Sequence, residues 1–130
     1  MGEATVDLRA DTLDDLRWAT AQIGAFAEHD GVELDHSDEE GFPPMTRSPA
    51  LVEEARAILR SLGQPDGEET AGGVSDGSWT SWIGVPTVDG LGPVGGRDHS
   101  PHEYIDLRSV AARVELVERL VEWIALSARR

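Results

Sequence analysis

The residues of this sequence best suited to chemistry are a few histidines, a glycine-rich loop and a surplus of carboxylates. His99 stands in the stretch Gly90-Leu91-Gly92-Pro93-Val94-Gly95-Gly96-Arg97-Asp98-His99-Ser100-Pro101-His102-Glu103-Tyr104. A neutral imidazole is a standard zinc donor, and its second nitrogen needs an orienting partner. Asp98 and Glu103 are the nearby carboxylates that could supply it. The loop follows an apolar segment, the position at which open α/β sheets place their ligands. Read from spacing alone, however, one histidine is a weak motif, and a solvated loop histidine without a role is the simpler account.

The other candidates have plainer explanations. His102 follows His99 by three residues, but Pro101 lies between them. His29 falls at an expected helix end, where a cation suits the macrodipole. His36 and Asp38-Glu39-Glu40 read as a solvated acidic run. Trp18, Trp79, Trp82 and Trp123 fit apolar faces and packing.

Composition narrows the chemistry. The chain has 130 residues, 39% of them hydrophobic, and a net charge of −14 from 25 acidic and 11 basic residues. That suffices for one compact domain or parts of two. The negative field repels phosphate backbones, so nucleic acid is excluded as the expected partner. With no cysteine, any metal must be held by His, Asp and Glu, the ligand set of hydrolytic zinc or manganese sites. No apolar run approaches a membrane span and no signal-like start is visible, so a soluble cytoplasmic protein with no membrane partner is expected.

The elements that must position these residues follow from periodicity. Thr5 to Ala10 alternates Val6 and Leu8 with Asp7 and Arg9, which predicts a half-buried strand. Thr12 and Asp15 have the spacing of a capping box, and Leu13, Leu16, Ile23, Phe26 and Ala27 continue a helix toward a stop at Asp30-Gly31. Val32 to Asp35 reads as a short strand, and residues 35 to 44 as a crossing between modules. Ser48 is expected to cap a second helix with Pro49 at its first position, and Gly63 to end it. A Gly-Gly turn, a short helix from about Ser75 to Ile83 and a buried strand at Val85 to Val88 come next. Asp106 caps a final helix with Val110, Val114, Val117, Val121 and Ile124 on one face.

Three linked motifs make the sequence resemble a known family. The His99-Ser100 pair, followed by Glu103-Tyr104 and a last helix, is similar to the C-terminal signature of the zinc-dependent aminoacylase and carboxypeptidase family. That family includes glutamate carboxypeptidase, acetylornithine deacetylase and succinyl-diaminopimelate desuccinylase. Gly72-Gly73-Val74-Ser75-Asp76-Gly77 resembles its Gly-Gly-x-Ser-Asp turn, and residues 84–92 resemble the strand leading to the metal-binding histidine. Val6-Asp7-Leu8-Arg9 resembles the strand whose arginine binds the substrate carboxylate, a task suited to a planar fork of donors.

The resemblance implies an α/β fold: the C-terminal part of a zinc-exopeptidase-like catalytic domain, preceded by half of an α+β lid of the kind that mediates dimerisation. Residues 1–40 would be the strand-helix-strand second half of the lid and residues 41–130 the catalytic part. It implies that His99 is a metal ligand, that Arg9, Gly73, Val74 and Ser75 bind substrate, and that Asp76 and Glu103 support them from behind. The implied cofactor is zinc, two per complete site, with cobalt or manganese as alternatives. The implied substrate is a small N-acyl amino acid or peptide, cleaved at an amide bond by metal-activated water. The family's other ligands and its general base find no match here. The resemblance therefore implies a truncated or split gene, with a homodimer or a missing N-terminal half as partner. The alternative is a catalytically incomplete remnant or an interaction module.

Overall fold

The protein is described by a computed structural model covering residues 2–25, 28–29, 32–33 and 41–129. The elements are α1 (Leu13–Ala25), β1 (Glu28–His29), β2 (Val32–Glu33), α2 (Pro49–Ser61), α3 (Gly77–Trp82), β3 (Gly95–Gly96), β4 (Tyr104–Ile105) and α4 (Leu107–Ser127). β1 pairs antiparallel with β2, and β3 with β4. The chain divides into two compact units, residues 1–46 with 71–85 and residues 47–70 with 86–130.

In the second unit, α2 begins where the sequence predicts. Pro49 occupies the first turn, where its missing N–H costs nothing. Ser48 leaves the α2 amides alone, and its hydroxyl instead accepts from the Thr87 N–H at 2.8 Å. After Ser61 the chain turns through Gly63 at φ +66°, a conformation glycine adopts without steric cost. α2 buries Leu51, Ala55, Ile58 and Leu59. Ala55, Ile58 and Leu59 pack with Leu116 and Leu120 of α4, and Leu62 and Leu91 close over that cluster.

α4 departs from expectation in which side it buries. The predicted face is exposed: Val114 at 54%, Val117 at 42%, Val121 at 59% and Ile124 at 46%. Ser109, Leu116 and Leu120 are buried instead. The reason is that α4 is apolar around most of its circumference, and periodicity marks an apolar stripe without saying which side meets a partner. α2 covers the leucines and leaves the valines bare.

The first unit is held by smaller contacts. Thr12 and Asp15 form the expected box at the start of α1: the Asp15 N–H donates to the Thr12 hydroxyl at 3.1 Å, which donates to the Asp15 carboxylate at 2.6 Å. Buried Ser81 accepts from the Thr46 N–H at 2.8 Å and donates to its carbonyl at 3.3 Å. Phe42 and Trp79 meet at a ring-centroid distance of 5.7 Å. The short helix predicted from about Ser75 to Ile83 is present as α3. Two predicted strands are not: residues 5–10 and 85–88 join no ladder among the described residues, and Val6, Leu8 and Val85 are exposed. Alternation and β-branching describe a surface that fits a sheet, but a strand exists only where a neighbour takes its backbone hydrogen bonds. The first helix is shorter than expected: α1 runs Leu13–Ala25, and Glu28–His29, expected in its last turn, pair with Val32–Glu33 instead. Asp30-Gly31 themselves, the end of the second strand and the acidic run with His36 lie outside the described residues.

The small core sets a stability expectation. Leu116→Ala should cost roughly 2–5 kcal/mol, the loss for a fully buried leucine that leaves a cavity. Leu126→Ala, on an exposed side chain, should stay within about 0.5 kcal/mol. Urea unfolding followed by helix circular dichroism measures both.

Candidate metal and substrate site

The His99 loop is a hairpin loop. β3 and β4 pair Gly95 with Ile105 and Gly96 with Tyr104, so residues 97–103 form the turn between them. Glycine is required here because a side chain at Gly95 would collide with the Tyr104 carbonyl oxygen, and one at Gly96 would press on the Tyr104 ring. The hairpin is tied to α4 at its base. The Asp106 N–H donates to the Val94 carbonyl at 2.7 Å. The hydroxyl of buried Ser109 accepts from the Val94 N–H at 2.9 Å and donates to the Asp106 carbonyl at 2.6 Å. Asp106 also caps α4, accepting from the Arg108 N–H at 3.0 Å. Upstream, Leu91 rests on the α2–α4 core.

The turn itself is tightly wound. Arg97 and His99 both have φ of +61°, in the left-handed region that non-glycine residues rarely occupy. Ser100 braces it: its hydroxyl donates to the Arg97 carbonyl at 2.7 Å and accepts from the His102 N–H at 3.2 Å. The Glu103 N–H donates to the Ser100 carbonyl at 3.1 Å. His99, Asp98, His102 and Glu103 are exposed. Among the described residues no set of three or more His, Asp or Glu side chains could hold a metal ion. The donor set of these residues therefore does not by itself fit zinc, which takes about three protein ligands even in open catalytic sites.

The substrate candidates lie in the first unit, and two stretches far apart in sequence meet there. Arg9 Nη1 donates to the Gly72 carbonyl at 2.7 Å, joining the Val6–Arg9 segment to the Gly-Gly turn across 63 positions. The other edge of the Arg9 fork is occupied: Nε and Nη2 donate to Asp7 Oδ2 at 3.1 and 2.6 Å. That hydrogen bond, reinforced by the opposite charge, holds the Asp7 carboxyl below its usual pKa. Gly73 and Val74 are exposed, whereas Ser75 is half-buried and its hydroxyl accepts from the Gly77 N–H at 3.1 Å. Asp76 sits before α3; its carbonyl accepts from the Trp79 N–H at 3.2 Å and its carboxylate makes no capping bond. Gly72 and Gly73 have neither a positive φ nor a crowded Cβ position, so the backbone at this turn does not itself demand glycine.

Sequence reasoning passed over Arg97. All eleven basic residues are arginines. Most described ones pair with a carboxylate, as Arg47 does with Glu68, Arg60 with Asp66 and Arg108 with Asp106. Arg97, two residues from His99, makes no such pair among the described residues. The signal was available: an arginine set between Gly96 and the Asp98-His99 step, in a chain short of cations.

Two outcomes test this geometry. Gly95→Ala should open the hairpin, speeding amide hydrogen exchange at residues 94–106 while α2 keeps its protection. The Asp106 carboxyl is held below its ordinary pKa, first by the Arg108 side-chain hydrogen bond and then by the Arg108 N–H. A lowered folded-state pKa contributes stability above the ordinary aspartate value of about 3.9, lost as pH falls through the folded value. The first turn of α4 should therefore fray in acid before the α2–α4 core does. Asp106→Asn, which keeps a cap but cannot titrate, should remove that step from an NMR pH titration.

The comparisons with known proteins agree with the motifs. The family model of peptidase family M20/M25/M40 matches residues 5–123. Over 82 residues, 62% of this chain, the sequence is 32% identical to a succinyl-diaminopimelate desuccinylase from Methylococcus capsulatus, and the matched stretch is 22% of that enzyme's length. No solved structure matches the chain. No helix among the described residues is long and apolar enough to cross a membrane. With nearly its whole length matched, the chain belongs to peptidase family M20/M25/M40, a family of metal-dependent hydrolases.

Proposed function

We propose that this chain forms the part of a metal-dependent amide hydrolase that contributes one histidine ligand and the grip on an acyl amino acid or peptide carboxylate. In this reading residues 41–130 belong to the catalytic part and residues 1–40 to half of a lid. His99 is a ligand to zinc, or to cobalt or manganese in its place. Further ligands come from a polypeptide equivalent to the part of the relative that the matched stretch does not span. Arg9 receives the anionic end of the substrate, and the Gly73-Val74-Ser75 backbone lies along it. Asp76 and Glu103 steady the two stretches.

The observation that carries the reading is the Arg9–Gly72 hydrogen bond, because it brings two separate family motifs into one cluster. The uncrowded glycines add to it, since glycine that the fold does not need suits close approach by a ligand. The relative's name adds N-succinyl amino acids to the substrates worth trying. A second reading is an interaction module without catalysis.

Zinc titration followed by histidine ring NMR separates the two. His99 should respond first, weakly for the chain alone, and His99→Ala should abolish that response. An equal response in the variant would remove His99 as ligand. Titration with an N-succinyl amino acid should shift the amides of residues 72–75. Arg9→Lys should weaken that binding roughly tenfold, because lysine cannot replace a two-pronged hydrogen bond. No response to either probe would leave only the interaction module.

A further inference from the structure

The Arg9 guanidinium is already engaged, and its occupant is a carboxylate of the same chain. Such a group carries several N–H donors in a fixed fork. Nη1 gives one to the Gly72 carbonyl at 2.7 Å, which anchors the side chain to the Gly-Gly turn. Nε and Nη2 present two parallel donors along one edge, and Asp7 takes both. It does so imperfectly: both bonds end on the same oxygen, Oδ2, and the one from Nε is 3.1 Å long. A carboxylate from outside the chain can set one oxygen against each nitrogen, the stronger two-pronged arrangement.

The occupant is held lightly. The Asp7 side chain is 69% exposed and that of Arg9 61%, so parting them uncovers no core. The Gly72 bond uses a different nitrogen and survives the exchange. A pair this exposed favours its closed form by a factor of only about two to five. The competition is nevertheless constant at neutral pH, because the Arg9 hydrogen bond, and then its charge, hold the Asp7 carboxyl below its ordinary pKa.

We propose that Asp7 is an internal competitor for the ligand: it closes the carboxylate-receiving edge of Arg9 when the site is empty and returns to that edge as a bound carboxylate leaves. The inference rests on the reading of Arg9 as the grip on a substrate carboxylate. Asp7 acts through Arg9, and it sets how tightly a carboxylate is held rather than whether one is recognised. From its place two residues away it can take Nε while the departing group still holds Nη2. Arg9 then passes from one carboxylate to the other without standing bare. Affinity differences within one site lie mostly in the dissociation rate. Loss of Asp7 should therefore slow release and leave association almost untouched.

NMR titration of the 130-residue chain with an N-succinyl amino acid, read at the amides of residues 72–75, tests this. Asp7→Ala should bind about two- to fivefold more tightly than the wild type, with the gain seen in line shapes as slower dissociation. Asp7→Asn, which keeps an acceptor without the charge, should shift binding in the same direction. A residue that merely supported the site would move it the other way. Asp11→Asn removes an equal charge just beyond Arg9 and should leave affinity as it is, which separates competition from the general field. In an Arg9→Gln background, Asp7→Ala should have no effect. Affinity lowered or unchanged by Asp7→Ala overturns the proposal. So does an equal gain from Asp11→Asn, or a gain that persists without Arg9. Arg9→Gln alone tests the reading beneath it: if that variant binds as the wild type does, Arg9 is not the grip and the inference falls with it. No binding by either the wild type or Asp7→Ala overturns both.

Discussion

The constraint on which the second unit depends is that one helix pair must supply its core. Ala55, Ile58 and Leu59 meet Leu116 and Leu120, and little else there is out of water. At about 25 cal/mol per Å² of apolar surface, so few side chains leave a thin margin over the entropy of ordering the chain. The polar joints around the core consequently do structural work that a larger core would make unnecessary. Ser48 gives up its usual capping role to hold the Thr87 N–H, and the Arg119 guanidinium donates to the Ser61 hydroxyl at 2.8 Å.

From that core the position of His99 is fixed through very few atoms. Leu91 leads into the loop from one side, and Ser109, one of the few buried polar residues, holds it from the other. The Ser109 hydroxyl is satisfied twice, as acceptor from Val94 and donor to Asp106, so its burial carries no penalty of an unmet hydrogen bond. Strain is concentrated beyond this joint, at Arg97 and His99, where two non-glycine residues take positive φ within three positions. Such strain persists only where the surroundings over-determine it, and it gathers where a side chain must point in a set direction.

How much of this was legible in the sequence depends on whether the signal was local. The starts of α2 and α4 were readable because Pro49 and Asp106 act on their own neighbours, although the cap expected from Ser48 is not made. The Gly-Gly-x-Ser-Asp segment and the His99 loop were readable through their resemblance to a family's motifs, but the β3–β4 pairing that makes the loop a hairpin was not foreseen. The strands expected at residues 5–10 and 85–88 were not, because alternation needs a partner strand that the described chain does not offer them. The buried side of α4 was illegible for a related reason: both its leucine and its valine rows satisfy helical spacing, and only the placement of α2 chooses between them. The Arg9–Gly72 contact, between residues 63 positions apart, has no local signature at all.

Charge links these parts. With 25 carboxylates and eleven arginines, a guanidinium near the surface is expected to find an acid of its own chain, and Arg9, Arg47, Arg60 and Arg108 do so. Such exposed pairs stabilise little. Their larger effect is on availability. Arg9 can receive a substrate carboxylate at its Nε–Nη2 edge only by releasing Asp7, an exchange of one charged hydrogen bond for another, so its gain in affinity is smaller than that of a free arginine. An arginine left without a carboxylate against these odds is the more informative one. Arg97, beside the proposed ligand, is one such arginine among the described residues.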